Sequence, residues 1–252
     1  MQEHYQETGY LLKRNFFREE ELRTIEPILR KFNDGWIKRN QEHYEAGAVN
    51  SAYITSKKQQ TSGARAALFT FIAQDKLLEI AKTLTPAPAF MNTQLFFNPV
   101  NKHQKNYWHR DIQYTPYDTD QQAQMLTTKN ILHFRIPFAD EPGVELMPGT
   151  HSRWDTAQEF ETRMSENGRA PHHNLPGSKA IALNRGDLLV FSANMIHRGL
   201  YGGDRFAFDI IFSDADPELL RYVEKECLPD RPMLSGLPNA GVYENTWRAL
   251  GG

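Results

Sequence analysis

What this chain can become is set by a change of texture near residue 90. From there to residue 214, "FMNTQLFFN", "NYWHRDIQY", "ILHFRIPF", "GVELMPGTH", "KAIALNRGDLLVFSANMIH" and "DRFAFDIIFSD" are β-prone, strand-sized runs, commonly parted by Pro, Gly, Asn or Asp. Six or more such runs with no helical pattern between them predict an antiparallel sandwich or barrel, because a parallel sheet needs helical crossovers. Upstream, "REEELRTIEPILRKFN" sets Leu22, Ile25, Ile28, Leu29 and Phe32 at helical spacing, with acids early and bases late, as the helix dipole favours. "FIAQDKLLEIAKTL" repeats the pattern with Leu77, Ile80, Ala81 and Leu84 until "TPAPAF" stops it. Helical patterning returns in "DPELLRYVEKEC" and, more weakly, in "YENTWRAL". The expected fold is mainly β with flanking α-helices, a β-barrel or jelly roll. A mainly helical part covers residues 1–89, the jelly-roll core 90–215 and a helical tail 216–252. A chain of 252 residues suits a single domain with one sizeable core.

Composition removes several function classes. A formal charge of −2 without a long basic run argues against nucleic-acid binding driven by counterion release. The lone cysteine, Cys227, excludes an intramolecular disulfide and any multi-cysteine zinc site. Apolar runs such as "LLVF" fall far short of the roughly 20 residues of a membrane span, and "MQEHYQETGYLLKRN" has no apolar core of a signal peptide. The expectation is a cytoplasmic protein acting on a small molecule, with neither a nucleic-acid partner nor a membrane span. Nothing in the pattern addresses its oligomeric state.

The chemistry is concentrated in "NYWHRDIQY", which sets His109 and Asp111 two residues apart. Were the segment a strand, both side chains would leave one face about 6.5 to 7 Å apart along the backbone. His197, which closes "GDLLVFSANMIH", follows Asp111 by 86 residues, so only a fold that joins distant strands unites the three. A jelly roll does so. Two imidazoles and one carboxylate on one face of a metal, with open positions opposite, form the ligand set of non-haem Fe(II) oxygenases. Taken alone, H-x-D reads more readily as a structural or surface pair. Its context changes that reading.

"WHRD" (Trp108 to Asp111), "MPGTH" (Met147 to His151), "GDLLVFSANMIHRG" (Gly186 to Gly199) and Arg205 follow one another in an order that resembles the phytanoyl-CoA dioxygenase-like family of Fe(II)/2-oxoglutarate oxygenases. The resemblance spans roughly residues 90 to 215 and implies a cupin-like double-stranded β-helix. It further implies that His109, Asp111 and His197 bind Fe(II), that 2-oxoglutarate chelates the iron as cosubstrate, and that O2 takes the remaining position. Arg205 would anchor the distal carboxylate of 2-oxoglutarate through two charge-assisted hydrogen bonds. The implied reaction hydroxylates a C–H bond of a small molecule and releases succinate and CO2. Halogenating relatives lack the carboxylate ligand, whereas Asp111 is present here.

Two departures from the family pattern stand out. The step from His197 to Arg205 is short, which implies a clipped hairpin in "RGLYGGD" and leaves Arg198 as a rival anchor. Asn98 stands where the family often carries a cosubstrate-binding lysine. In "NTQLFF", Asn92 and Gln94 alternate with Thr93 and Leu95 and face either the cavity or an outer polar surface. His133 and Arg135 pose the same choice. His151 reads as a locally hydrogen-bonded turn residue, His172 and His173 as solvated loop residues, and Trp108 as packing. Residues 33–64, the N-terminal helices and the loop from Asp155 to Gly177 are expected to rim the cavity and carry specificity. A Zn- or Mn-dependent cupin-type hydrolase or isomerase, which leaves Arg205 and "MPGTH" unexplained, and a non-catalytic ligand-binding jelly roll are the alternatives.

Overall fold

A computed structural model describes residues 1–252. Strands β1 (Tyr10–Lys13), β2 (Asn50–Ala52), β3 (Pro88–Phe97), β4 (Ile131–Pro137), β5 (Glu141–Leu146), β6 (Lys179–Leu183), β7 (Leu188–Ser192), β8 (His197–Gly199) and β9 (Phe206–Asp214) form two sheets. The larger runs β1-β7-β4-β9-β3-β2 and the smaller β6-β5-β8. Every pairing is antiparallel. This is the expected jelly roll. Around it lie α1 (Gln2–Thr8), α2 (Glu19–Arg23), α3 (Glu26–Arg39), α4 (Gln41–Glu45), α5 (Ser62–Ile72), α6 (Asp75–Leu84), α7 (Thr119–Thr128), α8 (Ala157–Met164), α9 (Pro217–Leu220), α10 (Arg231–Gly236) and α11 (Gly241–Ala249).

Period-two alternation sorts the large sheet into two unlike faces. On β4, Leu132, Phe134 and Ile136 join a core with Phe208, Ile210 and Phe212 of β9. The same core takes in Phe69 and Ile72 of α5, Leu77 and Ala81 of α6, and Tyr243 of α11. Each fully buried Leu, Ile or Phe there contributes about 1.5–3 kcal/mol. The Tyr243 hydroxyl donates to the Phe69 carbonyl at 2.9 Å, so even the polar atom of this layer is satisfied. The intervening residues His133, Arg135 and Asp209 point the other way, into the space between the sheets. A smaller apolar cluster of Tyr10, Val144, Leu146, Ile181, Leu183, Leu189, Phe191 and Met195 closes one end of that space.

Four details differ from the sequence reading. Helices α7 and α8 interrupt the strand-rich region; both begin with a capping box, Asp118 with Gln121 and Thr156 with Glu159. Strands β1 and β2, from the part expected to be helical, extend the large sheet by pairing with β7 and β3. Runs of four and three residues are too brief to show a period. "NYWHRDIQY" is not a strand: it makes a single bridge, His109 to His197, and then turns into a 3-10 helix over Asp111–Tyr114. The segment after His197 is not a hairpin, since β8 pairs with β5 and β9 pairs with β3 and β4. Residues 200–205 instead cross from the small sheet to the large one.

Candidate metal centre

The side chains of His109, Asp111 and His197 converge from two backbone segments that are stitched together. The His109 amide donates to the His197 carbonyl at 3.0 Å, the His197 amide to the His109 carbonyl at 2.9 Å, and the Asp111 amide to the Ala193 carbonyl at 3.2 Å. Two flanking motifs hold this stitch. Arg110, fully buried, donates to the Thr150 carbonyl at 2.6 Å, to the Asn194 carbonyl, and to Asp155 at 2.8 Å. Thr150 of the "MPGTH" turn accepts from the Ile196 amide at 3.0 Å and donates to the Met147 carbonyl at 2.7 Å. In "WHRD", therefore, Trp108 and Arg110 anchor into the protein while His109 and Asp111 are left facing the cavity.

The donors are prepared for a cation. Carbonyls only accept, so the Nδ1 of His109, 3.2 Å from the Tyr107 carbonyl, and the Nδ1 of His197, 2.9 Å from the Met195 carbonyl, each carry the proton. Both Nε2 atoms are thereby left with bare lone pairs. They stand 3.6 and 3.5 Å from Asp111 Oδ1, beyond hydrogen-bond length, and the three donor atoms lie within 4.8 Å of one another. Burial and, for His197, the neighbouring His109 keep the imidazoles neutral: His197 is pushed down to about 3 and His109 is lowered despite Asp111. Burial pushes the Asp111 carboxyl up, but the charge and hydrogen bond of His133 outweigh it and hold it well below the usual carboxylate range. Two neutral imidazoles and an ionised carboxylate are the protonation states a divalent metal requires.

His133 fixes the carboxylate. Its Nε2 lies 2.8 Å from Asp111 Oδ2 and its Nδ1 lies 3.1 Å from Asp209 Oδ2, while its ring stacks on Phe191. Burial opposes the imidazolium, yet Asp111 and Asp209 push His133 up to about 9. His133 thus holds Asp111 by Oδ2, turning Oδ1 toward the histidines.

These groups line a cavity of about 400 Å³ that continues to Arg205. Arg205 is buried and spends Nη1 on the Phe97 carbonyl at 2.8 Å; its Nε has no partner, and the nearest carboxylate oxygen, on Glu141, is 3.9 Å away. Burial and the neighbouring Arg135 lower it to about 10, still cationic at neutral pH. Arg135 is committed by contrast, donating to Glu141 at 2.8 and 3.1 Å and to Asp209 at 3.2 Å. A Cβ on Gly199 would stand 2.6 Å from Arg205 Nη2, so a glycine is what lets the guanidinium reach the cavity. The cavity's cations, Arg135, Arg205 and His133, balance Asp111, Asp209 and Glu141.

The other sequence-predicted residues divide. Gln94 lines this cavity and a second one beside it, whereas Asn92 lines only the second; His133 and Arg135 face inward. Asn98 does not line the cavity, which corrects its reading as a cosubstrate residue. Its side-chain amide donates to the Gly203 carbonyl at 2.8 Å and accepts from the Gly202 amide at 2.9 Å, so it clamps the crossing segment. Arg198 points away and is satisfied by Glu145, the His172 carbonyl and Asn174 while covering the Trp108 ring. His151 makes no side-chain hydrogen bond and packs on Tyr5 instead of bonding locally. His172 and His173 are exposed. The expected rim is also corrected. Of its three parts only residues 33–64 contribute, through Val49, Asn50 and Tyr53, while Tyr107, Tyr114 and Tyr201 supply aromatic walls that the sequence reading missed. Tyr107 and Tyr114 lie inside the quoted "NYWHRDIQY", and their flanking of the H-x-D pair was the available signal.

A jelly roll whose mouth gathers two imidazoles and a carboxylate defines a metal-site protein of the double-stranded β-helix class. The chain belongs to the phytanoyl-CoA dioxygenase (PhyH) family, whose profile matches residues 5–200, and it is thus a general iron- and 2-oxoglutarate-dependent oxygenase. No curated protein matches it in sequence. Among solved structures it is similar to the non-haem alpha-ketoglutarate-dependent carbocyclase SnoK from nogalamycin biosynthesis (16% identity, TM-score 0.56, covering 85% of this chain and 83% of that one). It is also similar to EctD from S. alaskensis with bound Fe (14%, 0.56, 92% and 80%). A third likeness is to AviO1 from Streptomyces viridochromogenes Tue57 (13%, 0.54, 84% and 93%).

Proposed function

We propose that the protein hydroxylates a C–H bond of a small molecule, with Fe(II) held by His109, Asp111 and His197 and 2-oxoglutarate anchored by Arg205. The observation that carries this reading is the pairing of a ready three-donor face with a buried guanidinium that lines the same cavity and has only its Nη1 hydrogen-bonded. Charge supports it as well: the cavity is balanced as it stands, so a dication and a dianion enter together without leaving a net buried charge. Bound iron would supply the oxidising chemistry, with O2 and 2-oxoglutarate consumed to succinate and CO2.

The chain's own groups supply position and dryness. The two carbonyl-pinned imidazoles keep their lone pairs aimed, and His133 keeps one carboxylate oxygen out of the metal's reach. Arg205 offers its free edge to the distal carboxylate, and Gln94 lies on the cavity wall for a further polar contact. Phe96, Val144 and Phe191 exclude water around them. An anaerobic titration tests the reading. Adding 2-oxoglutarate to the Fe(II)-loaded protein is expected to raise a visible charge-transfer band, and admitting O2 to give iron-dependent succinate. A substrate product heavier by one oxygen completes the expectation; absence of both band and succinate sinks it.

A further inference from the structure

Next to the metal cavity lies a second hollow of about 300 Å³ that shares Gln94, Asp111 and Tyr114 with it. Its character is different. Tyr53, Tyr114, Tyr117, Tyr222, Met125 and Ile211 are among its walls. Seven large apolar or aromatic side chains are exposed on the molecule, and four of them, Tyr53, Tyr107, Tyr114 and Tyr222, edge these two cavities. Exposed aromatic surface gathered in one place marks a binding site. Tyr53 also holds a left-handed backbone, φ 63°, which a tyrosine adopts only when its surroundings enforce it.

At the far end, the charged lining residues Lys129 and Glu218 are spent on one another. Lys129 pairs with Asp216 and, at 3.2 Å, with Glu218. The Tyr117 hydroxyl donates to Glu218 at 2.7 Å and accepts from Arg221 at 2.8 Å, and Arg221 lies over both the Tyr117 and Tyr222 rings. No uncommitted cation lines the hollow to receive a phosphate or carboxylate. What remains are tyrosine rings, the hydroxyls of Tyr53 and Tyr114, the Gln94 amide, the Asn92 amide nitrogen and the Asn194 amide oxygen, since the Asn194 nitrogen already donates to the Lys129 carbonyl at 2.8 Å.

We propose that this tyrosine-walled cleft is the substrate site and that its substrate is an uncharged, planar ring system bearing hydroxyl or carbonyl groups. The proposal rests on the oxygenase reading, because Tyr114 and Asp111 are where the cleft opens onto the metal cavity. Rings slide between the tyrosine faces, the amides and hydroxyls hold the substituents, and the edge nearest Asp111 is the one oxidised. A coenzyme A thioester, a sugar phosphate or a free amino acid finds no unpaired cation among the lining residues.

The test uses 2-naphthol as probe, followed by its own fluorescence, with 2-naphthyl phosphate as the charged control, on the metal-free full-length chain. The neutral probe is expected to bind at least about tenfold more tightly than the phosphate, since a buried unpaired charge is costly. Tyr222→Ala, at an exposed position, is expected to weaken 2-naphthol about fivefold or more, and Tyr53→Ala to do likewise. Arg198→Ala, which lines neither cavity, is expected to leave it unchanged, and thermal melts verify that each variant is folded. Equal or tighter binding of the phosphate overturns the proposal, as does unaltered 2-naphthol affinity in both folded tyrosine variants. Metal and 2-oxoglutarate play no part in these titrations. If they fail while iron-dependent succinate formation persists, the cleft assignment alone falls; if succinate formation fails while they succeed, the oxygenase reading falls.

Discussion

The two faces of the large sheet are made by the same strands and have opposite properties. Toward the helices, Leu132, Phe134 and Ile136 of β4 meet Phe208, Ile210 and Phe212 of β9 in a dry layer. One residue along, toward the small sheet, His133, Arg135 and Asp209 are equally buried but charged, and each is held by a named partner. The difference teaches how stability and function are divided. Apolar burial on the helix side offsets the cost of keeping three cations, His133, Arg135 and Arg205, and two anions, Asp209 and Glu141, out of water on the other.

The sharpest way to break this division is to change one face and measure the property assigned to the other. Asp111→Ala removes one of three protein donors. It is expected to weaken Fe(II) binding by about 100-fold or more and abolish nearly all activity, while Tm measured without metal falls by much less than Phe134→Ala lowers it, because the partner lost to His133 is only the partly exposed one. Isothermal titration and a thermal melt on one preparation decide it. Phe134→Ala is the reverse experiment. Deleting a fully buried ring is expected to cost about 3–5 kcal/mol in urea unfolding, with iron affinity of the remaining folded protein unchanged. A variant that lost both together would show that the faces are not separable.

Arg205 and Arg198 sharpen the comparison within the cavity side. Losing a buried contact to a charged group costs about 2 to 5 kcal/mol, so Arg205→Ala is expected to raise the apparent KM for 2-oxoglutarate by roughly 30-fold or more. Arg198→Ala, whose guanidinium serves Glu145 and the loop at residues 172–174, is expected to do much less. A larger effect at Arg198 would reverse the assignment of the anchor.

The smallest expected effect is a pH dependence. His133 is raised from 6.5 to about 9 in the folded protein. Its stabilising contribution is therefore complete below about 6.5 and is lost progressively as pH rises through 9. In the metal-free protein, Tm is expected to decline over that interval by more than in His133→Gln. Parallel declines in the two proteins would show that the imidazolium is not what the two carboxylates hold.

Much of this architecture was legible because it repeats. The two-residue period of "ILHFRIPF" and "DRFAFDIIF" and the 3.6-residue period of "IEPILRKF" and "DKLLEIAK" each report a local geometry that neighbouring residues reinforce. Elements too short to show a period were not legible: β1, β2 and the 3-10 turn at Asp111 exist because distant partners complete their hydrogen bonds. Asn98 looked like a ligand-contacting residue because it stands where the family often carries a cosubstrate-binding lysine, and a place in a pattern does not say what the side chain will meet. Its partner, the glycine turn at 202–203, lies more than a hundred residues away.

By itself, the sequence determined the donor types and their order, His-x-Asp and then a distant His, because a metal's preference for imidazole and carboxylate is written in side-chain chemistry. It also determined that His133 and Arg135 leave β4 on one side and Leu132, Phe134 and Ile136 on the other, since a strand allows no other parity. Only the tertiary structure decided which of two arginines is free. Arg198 meets Glu145 and two loop partners, whereas Arg205 passes the bare face of Gly199, lines the cavity and makes one hydrogen bond, to the Phe97 carbonyl. Whether a charged group is spent or available depends on everything folded around it, and that is a sum over distant contacts that no local pattern contains.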